Sequence, residues 1–509
     1  MVLRFNDVKE FPKLIEDLQT SFAKHLTKPL GYRKKQLEQL YNLVDENQDE
    51  LCEALFKDLH KSKIESTLAE IGIIRQECLD AINNLDEWAS PEYVKTSMIH
   101  KINKCHIRKE PVGTVLIVGT WNYPIHILLL PLVGAIAAGC TVLVKPSELA
   151  VNTAAVVTKL FSQYLDKNAY RIVNGGATET MSLLEYRFDH IFYTGSGAVG
   201  KIVMAAAAKY LTPVTLELGG KSPVILADDI DIPITAKRLV WGKSFNTGQT
   251  CIAPDYILCT REIQEALIKE IPKAIKNSYG SDPQKSPDYG RIINQRHFDR
   301  LSNLLSQTKG KIVIGGNSDR DDLYIELTIV SDVPKNDILT QEEIFGPILP
   351  IVVVENVDDA IKYINERDTP LALYPFSKND KTIKYILDNT RSGGTVINDT
   401  MLHASVSTLP FGGAGMSGMG AYHGRYTFDT FTHKRSVMSS PLAFEKLLAS
   451  RYAPHNEFDL KLASYFMFSK PNFKNKNYQG SDGVLNLKNV IVILCTILIA
   501  YIAINELSS

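Results

Sequence analysis

Tryptophan is scarce, with three in 509 residues, and net charge is almost absent, with 56 Lys and Arg against 57 Asp and Glu. That balance excludes a protein that holds nucleic acid through bulk positive charge, so no nucleic-acid partner is expected. Low-complexity tracts and internal repeats are missing and hydrophobic residues reach 45%, which excludes a disordered or collagen-like chain. The seven cysteines (Cys52, Cys78, Cys105, Cys140, Cys251, Cys259 and Cys495) are an odd number. None stands in a C-x-x-C pair or at zinc-ligand spacing with histidine. A disulfide framework and a bound metal are therefore not expected, and free thiols suit a reducing compartment. An apolar run is also missing from the opening MVLRFNDVKEF, so no cleavable secretion signal is expected.

The long hydrophobic run lies at the other end. Residues 490–504 read VIVILCTILIAYIAI, without a charge, and five residues follow. At about 1.5 Å per residue the run spans about 22 Å, and extending it to 507 adds a turn. Lys470, Lys474, Lys476 and Lys488 precede it and no Lys or Arg follows. A buried core helix is the alternative, but core helices are commonly amphipathic and this run is apolar all round. The reading is a C-terminal tail anchor over 490–507 that contacts membrane lipid. The body would lie in the cytosol, at the endoplasmic reticulum or the mitochondrial outer membrane.

The first hundred residues place Leu and Ile at three- and four-residue spacing among charges, the pattern of amphipathic helices. From Gly113 the texture changes. GTVLIVG (113–119), TVLVKPSE (141–148), YRIVNGG (170–176), DHIFYTG (189–195) and PVTLEL (213–218) read as short strands separated by helical stretches, with a second αβ series after Glu217. That alternation predicts an α/β fold with a parallel sheet covered on both faces.

Gly195, Ser196, Gly197, Ala198, Val199 and Gly200 form G-x-G-x-x-G between such a strand and the helical KIVMAAAAKYL. In that position backbone N–H groups at the helix start can face a dinucleotide pyrophosphate, although a ligand-free tight turn has the same pattern. Glu217 lies where an acidic ribose partner is commonly found, yet its own setting, ELGGKSP, is a turn after a strand. GGKS also resembles the end of a phosphate-binding loop, but Thr215 occupies the position where that loop needs its first glycine.

Cys251 closes FNTGQTC, a polar turn that can present a thiol to a pocket, where backbone amides can lower its pKa. A small buried cysteine is the alternative, and Cys259 in YILCT is its better example. Asn122, in the turn TWNYP, can donate an amide to a developing oxyanion, and Glu217 in a partly apolar pocket can serve as a base.

Taken in order, TWNYP, KPSE (145–148), the 195–200 loop, ELGGKSP, GQTC, EEIFGP (342–347) and PFGG (410–413) resemble the aldehyde dehydrogenase family over about residues 20–440. The stretch 410–435 is similar to the class-3 branch, which includes membrane-anchored fatty aldehyde dehydrogenases. The resemblance implies the family fold, with a cofactor-binding domain and N-terminal helices over 1–218, a catalytic domain over 219–422, and a bridging segment and linker over 423–489. It also implies a homodimer. By resemblance, Cys251 is the nucleophile, Asn122 the oxyanion donor and Glu217 the base that activates water. The 195–200 loop would approach the pyrophosphate, Lys145 and Glu148 the adenosine ribose, and Glu343 the nicotinamide ribose with Phe345 beside it. A carboxylate at Glu148 favours NAD, with NADP possible. Each residue has a plainer alternative: a surface ion pair for Lys145 and Glu148, solvated charge for Glu343, core packing for Phe345 and Phe411. The substrate implied is a long-chain aliphatic aldehyde. Aromatic aldehydes, and a catalytically inactive anchored scaffold, are the competing readings.

Overall fold

The computed structural model describes residues 3–97, 100–443 and 451–467. Residues Met1–Ala89 and Glu110–His433 make one unit, and Ser90–Lys109 with Lys434–Ser509 make another. Within the second, a three-stranded sheet is ordered Glu92–Tyr93, Lys104–Pro111, Thr432–Ser439, and a helix spans Glu457–Met467. The apolar run 490–507 lies outside the described residues, and among those described no helix is long and apolar enough to cross a membrane.

The first unit is built on two sheets. The first is ordered Gly418–Met419, Val214–Leu218, His190–Gly195, Thr114–Val118, Thr141–Lys145, Tyr170–Ile172. Its five longer-range strands from Thr114 to Leu218 run parallel, and Gly418–Met419 adds an antiparallel edge. Both faces are covered, which is why these strands read as continuous apolar runs. Leu116, Val118, Leu143, Ile191 and Leu216 meet Phe11, Ile15 and Leu18 of the helix Phe11–Ala23 on one face. Val115, Ile117, Val142, Val144 and Phe192 meet the wholly buried helix His126–Ala138 on the other.

The second sheet is ordered Lys311–Ile314, Thr328–Ser331, Ile348–Val353, Tyr256–Cys259, Pro223–Leu226, Ala372–Phe376, Gly394–Thr395. It is parallel except for its first pair. In the first sheet the chain starts at Thr114–Val118, winds to one side through Thr141–Lys145, then crosses back to His190–Gly195. The crevice beyond the carboxyl ends of those neighbouring strands is the topological switch point, where α/β sheets bind ligands. The Asn122 turn follows one of these strands and the 195–200 loop follows the other.

Candidate active site

The helix Ile232–Ser244, capped by Asp231 through the N–H of Ile234, leads into the cysteine turn. Asn246 (φ 49°), Thr247 (φ 54°) and Gly248 (φ 70°) then take three successive left-handed conformations. Such a path costs on the order of 1 kcal/mol or more at each non-glycine residue, so surrounding bonds must fix it. They come from the amides in the motif. Asn246 Nδ2 donates to the carbonyls of Asn122 (2.8 Å) and Gln249 (3.0 Å). Gln249 Nε2 donates to the carbonyls of Asn246 (3.1 Å) and Arg291 (2.9 Å), and its Oε1 accepts from Ile293 N–H (3.0 Å). The N–H of Asn246 donates to Glu65 Oε1 at 2.8 Å. Burial pushes the Glu65 carboxyl up to about 7.

Gly248 cannot be replaced cheaply. A Cβ there would lie 2.3 Å from the carbonyl oxygen of Gly346, on top of the left-handed φ. Gly248→Ala is expected to cost about 2 kcal/mol or more and to displace both the cysteine turn and the EEIFGP segment. A lowered Tm together with a lowered kcat checks this; wild-type values for both would contradict it.

Cys251 and Glu217 open onto one cavity of about 350 Å³. Most of its wall is aliphatic or aromatic, including Leu68, Ile73, Ile127, Trp241, Phe245 and Ile252. Among the described residues Glu217 is the one carboxylate on that wall. It is placed by register: in the strand Val214–Leu218 it pairs with Thr194 on one side and Gly418 on the other. It is 3% exposed and neither carboxyl oxygen has a hydrogen-bond partner, so burial raises its pKa well above the carboxylate range. Cys251 is partly exposed to the cavity. The expectation that backbone amides lower its pKa is reversed. The N–H groups of Cys251 and Ile252 do pull the thiol down, but burial first, then the Glu343 and Glu217 carboxyls, push it up by more.

Asn122 is not on the cavity wall. It is 1% exposed and its Nδ2 donates to the Gln249 carbonyl at 3.0 Å, two residues before Cys251, while Oδ1 has no partner. The amide nitrogen keeps a second hydrogen for another acceptor. Its neighbour Tyr123 does reach the wall, and Tyr123 Oη lies 2.7 Å from Thr250 Oγ1.

The residues expected to hold a dinucleotide fit the group at several points. Ser196 caps the helix Gly197–Ala208 by accepting from Val199 N–H at 3.4 Å. A Cβ at Gly197 would meet nothing within 4 Å, which leaves the helix start open there for a close ligand approach, with Ala198 in the first turn. One at Gly195 would meet Tyr193 Oη and one at Gly200 would meet Leu218, so those two glycines serve packing within the chain. Lys145, buried at the end of its strand, donates to Glu148 Oε2 at 3.0 Å. They are thus an ion pair with one partner buried, not a surface pair. Glu343 presses against Gly219, where a Cβ would lie 2.0 Å from Glu343 Oε2, and its buried Oε1 is left without a partner. Burial and the nearby Asp255 push Glu343 up to about 8. Glu342, beside it, is exposed. Phe345 packs edge-on to Trp121, with ring centroids 5.3 Å apart. Lys221 holds this segment by pairing with Asp255 and donating to the carbonyls of Leu339 (2.9 Å) and Glu342 (2.8 Å).

Two histidines at the site carry no signal in the sequence. His126 and His423 line the cavity with Nε2 atoms that have no partner. Burial lowers His126 to about 4 and His423 well below 6.5, so both are neutral imidazoles. Phe411, 8% exposed, stacks on His403 and His423 and also lines the cavity. Among the described residues no group of three His, Cys, Asp or Glu side chains is placed to hold a metal ion.

This geometry has counterparts. The profile of the aldehyde dehydrogenase family matches residues 4–437. Aldehyde dehydrogenase family 3 member A2 of Mus musculus is 49% identical over 456 residues, covering 89% of this chain and 94% of that protein. The dimeric NADP-preferring aldehyde dehydrogenase of Canis lupus familiaris is 46% identical over 88% of this chain and 98% of its own. A solved substrate-bound Staphylococcus aureus AldH superposes with a TM-score of 0.88 at 41% identity, covering 91% of this chain and 100% of that one. With a match spanning both sheets and the turns that carry Glu217 and Cys251, the chain belongs to the aldehyde dehydrogenase family of NAD- or NADP-using oxidoreductases.

Proposed function

We propose that this protein oxidises long-chain aliphatic aldehydes to carboxylic acids through a covalent cysteine intermediate. One observation carries the reading: a thiol and an unpartnered carboxyl share a cavity whose wall is otherwise mainly apolar. Cys251 loses its thiol proton to solvent, the thiolate Sγ attacks the aldehyde carbon, and the carbonyl oxygen gains the electron pair as a thiohemiacetal oxyanion. The second amide hydrogen of Asn122 and the Cys251 N–H receive that oxygen. When bound, the oxidised cofactor supplies a positive charge and the hydride acceptor that makes a thioester of the adduct. Glu217 takes a proton from water, hydroxide adds to the thioester carbon, the carboxylic acid leaves as the Cys251 thiolate departs, and Glu217 returns its proton to re-form the thiol. Capture on sulfur divides one difficult step into two and fixes the reacting carbon in place.

The residues that would hold the cofactor are the 195–200 loop at the pyrophosphate, Lys145 and Glu148 at the adenosine ribose, and Glu343 with Phe345 at the nicotinamide ribose. A carboxylate at Glu148 bonds a 2′-hydroxyl and repels a 2′-phosphate, so NAD is the preferred cofactor. The first sheet then serves cofactor binding and the second supplies the cysteine turn. The run 490–507 acts as the membrane anchor that concentrates apolar substrate, and the protein works as a homodimer.

The test follows NADH formation by the full chain in detergent with hexadecanal, shorter alkanals and benzaldehyde. Turnover rising with chain length, and faster with NAD than NADP, is the expected result. Rapid benzaldehyde oxidation with no turnover of hexadecanal would replace the substrate and keep the chemistry.

A further inference from the structure

Lys61 stands outside every motif used above. Its sequence neighbours Lys57 and Lys63 are exposed beside Glu53 and Asp49. The Lys61 side chain is 0% exposed. Its Nζ donates to Glu70 Oε1 at 2.5 Å and to the Asn122 carbonyl at 2.8 Å, and it lies 4.0 Å from the centroid of the Tyr123 ring. Two of its three partners therefore belong to the turn that carries the oxyanion amide.

Glu70 is fixed in turn. Its second oxygen accepts from the N–H groups of Ile125 (2.8 Å) and His126 (3.2 Å) at the start of the buried helix His126–Ala138. It sits in a single π-helical stretch, Thr67–Ile71, of the kind that recurs at functional sites. The same stretch gives Leu68 and Ala69 to the cavity wall. A buried ion pair alone is weak support for stability. Here the lysine also donates to the carbonyl of Asn122, whose side-chain amide in turn donates to the cysteine turn at Gln249.

We infer that Lys61, fixed by Glu70, is a positioning residue that holds Asn122 and Tyr123 against the Cys251 turn. The inference rests on the reading of Asn122 as the oxyanion donor. Without the ammonium, the Asn122 carbonyl keeps only the Asn246 amide, and the turn relaxes. A displacement of about 1 Å at an oxyanion donor is enough to lower turnover about 10²-fold.

The test compares four forms of the full chain in detergent: wild type, Lys61→Met, Lys61→Met with Glu70→Gln, and Asn122→Ala. Lys61→Met strands a buried carboxylate and is expected to lower Tm. The double variant removes that charge, while the glutamine oxygen still accepts the helix N–H groups, so Tm should return toward wild type. Each form is assayed well below its own Tm for kcat, for the KM of hexadecanal and for NAD affinity by fluorescence titration. The expected result is that kcat stays about 10²-fold low in both Lys61 variants, with NAD affinity at the wild-type value. Near-wild-type kcat in either folded Lys61 variant overturns the inference, because the pair would then be structural only. Full turnover in Asn122→Ala defeats the oxyanion reading instead, so the two failures are distinguishable.

Discussion

Cys251→Ala is expected to lower aldehyde oxidation about 10⁴-fold or more while leaving fold and NAD affinity unchanged. The size follows from removing a group that bonds covalently to the substrate, since catalytic residues acting as a unit cannot stand in for one another. Fold should survive because Cys251 is neither a wall-to-wall core residue nor a hydrogen-bond anchor of its turn; Asn246 and Gln249 do that work. The structure adds a prediction about the resting thiol. With burial and the Glu343 and Glu217 carboxyls both raising its pKa, Cys251 should alkylate slowly with iodoacetamide at neutral pH when no cofactor is present. Adding NAD should accelerate the reaction, because a cation near the site favours thiolate. Mass mapping of alkylated Cys251 with and without NAD measures this directly.

The second large effect belongs to Glu217. Glu217→Gln should abolish steady turnover and leave a burst of NADH formation, because glutamine cannot take a proton from water. The pH dependence follows from burial. A general base works in its ionised form, and Glu217 is held protonated well above the usual carboxylate range of about 4–5. The ascending limb of wild-type kcat against pH therefore lies on the alkaline side of that range. Stability has the matching sign. Between the unfolded pKa and the raised folded one, the unfolded chain has released a proton that the native state keeps. Stability from this group is thus present at low pH and falls as pH rises through that window. At neutral pH the buried carboxyl is destabilising, and Glu217→Gln should raise Tm by about 2 °C. An unchanged or lowered Tm, with steady turnover persisting in Glu217→Gln, would contradict the assignment.

Much of the first sheet was legible because its strands are buried on both faces. Thr114–Val118, Thr141–Lys145 and His190–Gly195 each carry a central run of apolar residues and are buried at nearly every position, and helical stretches separate them. The antiparallel edge Gly418–Met419 was not legible, since two residues carry no period and their pairing with Leu216 and Glu217 is set by distant chain. Among the site residues, Cys251 and Glu217 stood out through motifs that tertiary structure brings to one cavity. Sequence could not show that burial raises the Cys251 thiol, because burial belongs to the folded environment. Lys61 and Glu70 were invisible for the same reason: a lysine among lysines looks solvated until its neighbours are placed. His126 and His423 likewise became site residues only when the helix starts at positions 126 and 424 met over the cavity.

The account centres on an acyl group held by Cys251 and released by Glu217. Intact-mass analysis of Glu217→Gln after mixing with hexadecanal and NAD tests it most directly. The predicted result is a protein heavier by one hexadecanoyl group in place of a hydrogen, with peptide mapping placing it on Cys251 and NADH formed in equal amount. NADH forming without that adduct, or steady turnover by this variant, would contradict it.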